Sequence, residues 1–131
     1  MSVNPQNLTE VMQAIQLFGN VFLGIQLPQS AQPQTDFGCW SVLPGPPTQE
    51  TAPGSWGGHC VPLMQYATSV TSNRLVLRLI TWGAPLYMTQ NFLTMYADEA
   101  YAVLSPDWLS KLMKSPGGLD MNQLMADLSK L

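Results

Sequence analysis

Two apolar runs separated by five residues constrain the fold of this 131-residue chain more than any other feature. The runs are residues 59–68, HCVPLMQYAT, and residues 74–82, RLVLRLITW, and the sequence between them is SVTSN. Apolar runs of this length on both sides of a polar turn are typical of an antiparallel β-hairpin. Pro62 cannot donate a ladder hydrogen bond, so we expect a sheet edge or a bulge near the start of the first strand.

The apolar patterns before the hairpin predict a helix and a third strand. In residues 7–18 the apolar side chains recur at steps of three and four, which predicts an amphipathic helix with Asn7 as its N-cap. Residues 21–27, VFLGIQL, predict a buried strand, in which Gly24 marks a close backbone approach. The sequence therefore predicts an α+β fold, a small antiparallel sheet with flanking helices, in a single domain over residues 1–131.

The C-terminal third is predicted to be mostly helical. A helix is expected over residues 88–104, with Thr89 as its N-cap and an extended end at AYAVL. Residues 105–113, SPDWLSKLM, predict a second helix that starts with a capping serine and a proline. A last short helix follows over residues 119–131, and Asp120 begins its capping box.

Residues 28–57 have a different composition from the rest of the chain. They contain six prolines, four glycines and no long apolar period, so we expect one extended Pro/Gly-rich arm or loop. Its aromatic side chains Phe37, Trp40 and Trp56 are costly to leave in water. They are predicted to be buried against another subunit, as an assembly arm. The alternative is that they pack back on their own domain.

Composition narrows the classes of partner. Only 10% of the residues are charged, and the five basic residues are scattered, which argues against a nucleic-acid-binding face. The apolar runs are too short to cross a bilayer. The N-terminus, MSVNPQNLTE, has neither the basic nor the apolar region of a secretory signal peptide. We therefore expect protein subunits as partners, either other copies of this chain or a different protein.

The two cysteines, Cys39 and Cys60, could form one disulfide bond. In a chain without a signal peptide, two free and mostly buried thiols are the favoured interpretation. One histidine and two cysteines do not supply the four closely spaced ligands of a typical zinc site. The sequence therefore predicts neither a metal nor a cofactor.

The segment GSWGGHC contains the only histidine, His59, next to Cys60. A cysteine hydrolase needs a thiolate, a histidine that accepts its proton and a polar group that orients the imidazole. Neighbouring residues of a strand point to opposite faces, so Cys60 is expected to diverge from His59. Cys39 could fold back from the arm, but no basic residue of the arm would stabilise its thiolate. The alternative is a partly buried structural histidine that is paired with a backbone carbonyl.

The order GGHCVPLMQY followed by LVLRLITWG resembles the histidine half of a papain-like fold. In papain-like enzymes a histidine opens one strand, and an asparagine within NSWG, at the end of the next strand, orients it under a shielding tryptophan. The longer pattern, GGH, then TWG, then MTQNFLTMYADEA, is similar to the C-terminal half of uncharacterised bacterial and phage proteins of papain-like, C39-like peptidase character. The resemblance implies a papain-like half-domain with His59, Thr81 and Trp82 at the matching positions.

Two departures from this family pattern weaken the catalytic implication. In the longer proteins an upstream GDC motif supplies the presumed nucleophile, and this chain does not contain that motif. Ile80 stands at the position of the orienting asparagine, and isoleucine cannot accept a hydrogen bond from imidazole. Thr81 is the nearest replacement acceptor. His59, Thr81 and Trp82 are therefore interpreted as vestigial candidates for a catalytic site.

Together these features predict a non-enzymatic structural or assembly protein on a degenerate papain-like half-domain. The phage relatives implied by the resemblance suggest a virion accessory or capsid-decorating subunit, located in the virion or the cytoplasm, with no hydrolase activity when alone. The alternative is the histidine-bearing half of a cysteine peptidase or amidase whose nucleophile lies on another chain. A third hypothesis is a binding module or inhibitor that mimics half of a peptidase.

Overall fold

The computed structural model describes residues 1–103 and 113–129, which form a mixed α+β fold around one sheet. Within these residues the sheet has seven strands in the order β1-β7-β2-β4-β5-β6-β3. Neighbouring strands are antiparallel, except that β3 is parallel to β6. The strands are β1 (Ser2–Val3), β2 (Val21–Leu27), β3 (Cys39–Trp40), β4 (Gly57–Thr68), β5 (Leu75–Thr81), β6 (Ala84–Thr89) and β7 (Ala97–Tyr101).

Four α-helices accompany the sheet in the described part of the chain. They are α1 (Leu8–Phe18), α2 (Gln32–Asp36), α3 (Gln90–Tyr96) and α4 (Met121–Leu128), and a 3-10 turn at Gln29–Ala31 precedes α2. The α+β class, the third strand and the antiparallel sheet are thus as the sequence predicted. None of the described helices has both the length and the apolar character needed to cross a membrane.

The predicted hairpin is confirmed. Strands β4 and β5 pair from Thr68, which lies opposite Leu75, to Leu63, which lies opposite Leu79. The register of this pair shifts between Leu63 and Gln65. Of the two expectations for Pro62, the nearby bulge is therefore correct. The edge position is wrong, because β2 flanks β4 on one side and β5 flanks it on the other.

Helix α1 begins and ends at the residues that the sequence pattern indicates. The side chain of Asn7 accepts a hydrogen bond from the amide of Glu10, which satisfies one of the unpaired donors of the first turn. Gly19 closes the helix with a φ of 79°, a left-handed conformation that glycine adopts without strain. The buried side chains of the helix, Val11, Ile15 and Phe18 among them, belong to the hydrophobic core.

Alternation along the strands gives the sheet two different faces. The inner face carries the buried side chains and packs with α1 and α3 into one core, whereas the outer face is solvent-exposed. Gly24 lies on the outer side of β2, where a Cβ atom would meet the side chains of Asp98 and Glu99. The close approach predicted at Gly24 therefore involves side chains rather than backbone. The inner face is built from Leu23, Ile25, Val61, Leu63, Leu77, Leu79, Leu86 and Met88.

The predicted arm over residues 28–57 is largely folded against its own domain. It contains α2 and β3, and Trp40 is completely buried in the core. The amide of Trp56 donates to the carbonyl of Leu27, and the hydroxyl of Tyr96 donates to the carbonyl of Thr51. The prediction that Trp40 contacts another subunit is therefore wrong. Burial in its own core already removes the indole from water, and its Nε1 donates to Thr35.

The other two aromatic residues of the predicted arm differ from Trp40. Trp56 is partly buried and packs against the core of its own domain. Phe37 follows α2 and is 86% exposed, so it remains available to a partner.

The C-terminal third departs from its helical prediction. Helix α3 starts after the predicted N-cap, Thr89, but ends at Tyr96 instead of continuing towards residue 104. Residues 97–101 form β7, which pairs with both β1 and β2. The extended end predicted at AYAVL is therefore correct for Ala100 and Tyr101, but the extended segment starts three residues earlier than predicted. The helix predicted over residues 105–113 falls almost wholly on residues 104–112, outside the described part. Helix α4 is confirmed, with the Asp120 carboxylate accepting from the amides at the start of the helix.

Candidate functional site

His59 lies near the start of β4, at the end of the sheet where the inner face extends beyond the hydrophobic core. Thr81 is the last residue of β5 and is nearly buried. The Nε2 atom of His59 is 2.7 Å from the Oγ1 atom of Thr81, a short hydrogen bond. The sheet therefore holds the imidazole through a side-chain partner on the neighbouring strand, and not through the backbone carbonyl of the structural alternative.

Trp82 covers the imidazole from one side. The two ring centroids are 4.7 Å apart with an interplanar angle of 11°, so the rings are stacked. Trp82 and Gly83 form the two-residue turn between β5 and β6, with φ angles of 46° and 78°. Positive φ at both positions is the pattern of a type I′ turn, in which a bulky first residue is strained. This conformation places the indole over His59.

Two further tryptophans hold Trp82 in place. The fully buried Trp40 meets it edge-on at 6.2 Å between centroids, and Trp56 lies against it at 5.4 Å. The residues predicted from the resemblance, His59, Thr81 and Trp82, are thus brought together in space. Trp40 and Trp56 were predicted for a different role and in fact support this cluster.

The environment of His59 favours the neutral imidazole. Partial burial lowers the pKa of His59 below its ordinary value, because burial disfavours the charged form. With Nε2 at hydrogen-bonding distance from a hydroxyl, two tautomers are compatible with the geometry. If Nε2 carries the proton, the Nδ1 lone pair is free to accept another.

A shallow cleft of about 300 Å³ lies beside His59. Trp56, Trp82 and Leu27 line the cleft together with two glycines. A Cβ atom at Gly57 or Gly58 would meet no atom within 4 Å, and Gly57 has a φ of 134°. The glycines therefore leave an open approach to the imidazole.

Neither cysteine is placed to act as a nucleophile for His59. Cys39 lies in β3 at the sheet edge, so β5 and β6 separate it from β4, and three strand spacings amount to about 14 Å. Burial also raises the pKa of the Cys39 thiol, which disfavours the thiolate. Cys60 is exposed on the outer face, opposite His59. Both thiols are free as predicted, but the expected burial of Cys60 is wrong.

A second shallow depression lies on the outer side of the same strands, between Cys60 and the β7 carboxylates. The Nε2 atom of Gln26 donates to Asp98 at 2.6 Å, and the hydroxyl of Tyr101 donates to Glu99 at 3.2 Å. The hydrogen bond to Glu99 and its negative charge raise the pKa of Tyr101. Over the described residues, histidine, cysteine and acidic side chains form no group of three that could hold a metal ion.

The alternation of side chains along β5 separates Ile80 from Thr81, and a comparison of motifs by letter does not show this. Ile80 matches the asparagine of NSWG by position, yet its side chain is on the outer face and 37% exposed. The inner side chains of β5 are Leu77, Leu79 and Thr81, so only Thr81 shares a face with His59. Strand parity alone would have selected Thr81.

No protein-family model, no curated protein and no solved structure matches this chain.

Proposed function

We propose that this chain supplies the histidine half of a papain-like cysteine-hydrolase site, with the thiol provided by another polypeptide. The observation that carries the proposal is the pairing of His59 with Thr81 under the ring of Trp82. A polar group that orients the imidazole is part of every such catalytic arrangement, and an aromatic ring that shields their hydrogen bond is the further support of the papain-like pattern. A purely structural histidine needs neither an open cleft nor a strained tryptophan.

In the proposed mechanism, Nε2–H of His59 donates to Oγ1 of Thr81, which leaves the Nδ1 lone pair as the general base. A thiol at Nδ1 loses its proton to the imidazole, and the resulting thiolate attacks an amide carbonyl carbon, whose π electrons move to the oxygen. When this intermediate collapses, the C–N bond breaks and Nδ1–H of the imidazolium protonates the departing amine, which leaves a thioester that water hydrolyses. The lowered pKa of His59 keeps the imidazole neutral and able to accept a proton at pH 7, but it also makes Nδ1 a weaker base, so the imidazolium must be stabilised by the thiolate that forms beside it. The bare glycines beside His59 leave room for the thiol and for a substrate backbone.

The tautomer of His59 tests the central geometric element. Nitrogen-15 NMR of the imidazole should show protonated Nε2 and unprotonated Nδ1 at pH 7.5. Thr81→Val, which keeps the shape but removes the hydroxyl, should shift the tautomer population towards an even mixture. Thr89→Val is a matched control, because Thr89 caps α3 and does not contact His59. Protonated Nδ1 in the wild-type protein would overturn the proposal, because that nitrogen could not accept the thiol proton.

The second test concerns the thiol. The immobilised chain is incubated with an extract of its source cells and then with a covalent probe for active cysteines. We expect a labelled partner protein to be retained by the immobilised wild-type chain and none to be retained by the His59→Ala variant. Equal labelling on both would contradict it, as would no labelling on either.

A non-enzymatic assembly role is the second candidate, on the same half-domain in degenerate form. The exposed Phe37, which is available to a partner, favours it. In this role the chain would be a virion accessory or capsid-decorating subunit. Mass spectrometry of purified virions, which would detect stoichiometric amounts of the chain, distinguishes this role from a cytoplasmic one.

A further inference from the structure

The outer face of the sheet exposes an apolar surface that no described element covers. Five large side chains from five neighbouring strands are each 37–46% exposed on it. Cys60 and Pro62 lie between them on β4. An uncovered sheet face with this composition is typical of a surface that docks against another protein. The five side chains are Phe22, Met64, Ile80, Tyr87 and Tyr101.

One basic side chain of this face has no partner among the described residues. Arg78 points outward from β5, and its Nε atom is buried without a hydrogen-bond partner. A buried donor that stays unpaired costs about 1–3 kcal/mol, and no described residue offers the guanidinium group of Arg78 an acceptor. A carboxylate is the strongest acceptor for a guanidinium group.

Carboxylates lie on the same face, at its other end. Glu99 is outward in β7, and its side chain extends over Gly24 of β2, with Asp98 beside it. Two strands, β2 and β4, separate β7 from β5. Glu99 is level with Cys60, whereas Arg78 is level with Gln65, five residues further along β4. The charges therefore lie at diagonal corners, about 14 Å apart across the strands and about 16 Å along them.

This arrangement is complementary to itself. When two identical faces meet about a two-fold axis that crosses the diagonal at its midpoint, Arg78 of each copy meets Glu99 of the other. The midpoint falls near Phe22 and Pro62, which are partners in the β2–β4 register. The axis would thus bring the apolar centre of one face onto the apolar centre of the other, with a charge pair at each end.

We propose that the outer face is a dimerisation surface for a second copy of this chain, with reciprocal Arg78–Glu99 pairs. Five strands of about six residues give a footprint of roughly 500 Å² per copy. Interfaces of this size are typical of weak, reversible association, so we expect a dissociation constant in the micromolar range. The proposal is independent of the histidine cleft, which lies at the opposite side of β4.

Sedimentation equilibrium between 5 and 500 μM tests the surface. The wild-type chain should pass from monomer to dimer, and Met64→Glu should remain monomeric because a charge would enter the apolar surface. Phe37→Glu is the control, since Phe37 is exposed at the end of α2 and belongs to no strand of the sheet. A wild-type chain that is monomeric at 500 μM would overturn the proposal. So would dimerisation of Met64→Glu with the wild-type constant.

A charge exchange tests the pairing. Arg78→Glu and Glu99→Arg should each weaken self-association about thirtyfold or more, because each places like charges together. An equimolar mixture of the two variants should form a heterodimer with an affinity close to that of the wild-type chain, because both charge pairs, one native and one reversed, are again opposite in sign. If the two variants associate with each other no more tightly than each associates with itself, the proposed pairing of Arg78 with Glu99 is refuted.

The reactivity of Cys60 provides an independent measurement if a charge variant fails to fold. In the wild-type chain, maleimide labelling of Cys60 should slow as the protein concentration passes the dissociation constant. A Cys39→Ser background removes the second free thiol, which is the ladder partner of Tyr87, so that labelling reports on Cys60 alone. A Cys60 labelling rate independent of concentration would contradict burial of the outer face in a dimer.

Discussion

The inner and outer faces of the sheet are formed by alternate residues of the same strands, yet they have opposite environments. Leu63 and Leu79 on the inner face are completely buried, whereas Met64 and Ile80, their sequence neighbours, are about 40% exposed. Both faces are apolar, so composition does not distinguish them. The difference comes from helices α1 and α3, which pack on one face only. The inner face therefore stabilises the fold, and the outer face is left for association.

His59 occupies the boundary between these two environments. It belongs to the inner row of β4 by parity, but it lies beyond the end of the core and lines an open cleft. Its partner Thr81 is nearly buried and its cover Trp82 is 57% exposed. A reactive group needs both conditions, because burial fixes its orientation and exposure admits a substrate.

The largest expected effect concerns Trp40, which is the largest fully buried side chain of the inner face. Trp40→Ala should reduce the free energy of unfolding by about 3–5 kcal/mol, through lost burial and the cavity left behind. Phe37→Ala, three residues earlier and exposed, should change it by less than about 0.5 kcal/mol. Urea denaturation of both variants measures the difference. Equal stability losses would show that residues 28–57 do not pack as described.

The second-largest effect on stability is expected from substitutions of two glycines, Gly117 and Gly24. A Cβ atom on Gly117 would lie 2.1 Å from the backbone oxygen of Gln16, which α1 holds in place. Gly117→Ala should therefore cost about 1–3 kcal/mol of stability. On the outer face, a Cβ on Gly24 would meet only the exposed side chains of Asp98 and Glu99, which can rotate away. In thermal unfolding, the melting temperature of Gly117→Ala should be well below that of Gly24→Ala. The reverse order would contradict the difference between the packed contact at Gly117 and the open outer face at Gly24.

The parts of the fold that the sequence predicted are those encoded locally. The β4–β5 hairpin follows from two apolar runs and a turn, and the caps at Asn7, Thr89 and Asp120 follow from single polar side chains. Strand β3 was missed because its parallel pairing with Tyr87–Met88 of β6 is non-local. The burial of Trp40 was missed with it, because a Pro-rich composition says nothing about which aromatic residue returns to the core.

The candidate site was predicted in part for the same reason. The resemblance named His59, Thr81 and Trp82, but it placed the orienting position at Ile80, on the outer face, and offered Thr81 only as a replacement acceptor. The support that Trp40 and Trp56 give to Trp82 depends on contacts between distant segments. No local pattern encodes these contacts, so only the structure could reveal them.

The third effect is a pH dependence at the boundary between the faces. The folded protein lowers the pKa of His59, so folding favours the neutral imidazole. The corresponding stability is fully present above the unfolded pKa of about 6.5 and is lost as the pH falls through the lowered folded value. Because His59 is the only histidine, the slope between pH 7 and 5 should be shallower in His59→Gln. Identical slopes in urea denaturation would show that folding does not desolvate the imidazole.

The smallest effect is expected for Ile80→Thr, on the outer face directly before Thr81. Threonine keeps the β-branched shape that suits a strand, and the site is already partly wet, so the free energy of unfolding should change by no more than about 0.5 kcal/mol. Leu79→Ala, one residue earlier and fully buried, should cost about 2–5 kcal/mol. The nitrogen-15 shifts of His59 should be unchanged in Ile80→Thr, because residue 80 faces away from the imidazole. A shifted His59 tautomer in this variant would place residue 80 on the inner face, where the asparagine of the papain-like pattern acts, and would restore the alignment that strand parity rejects.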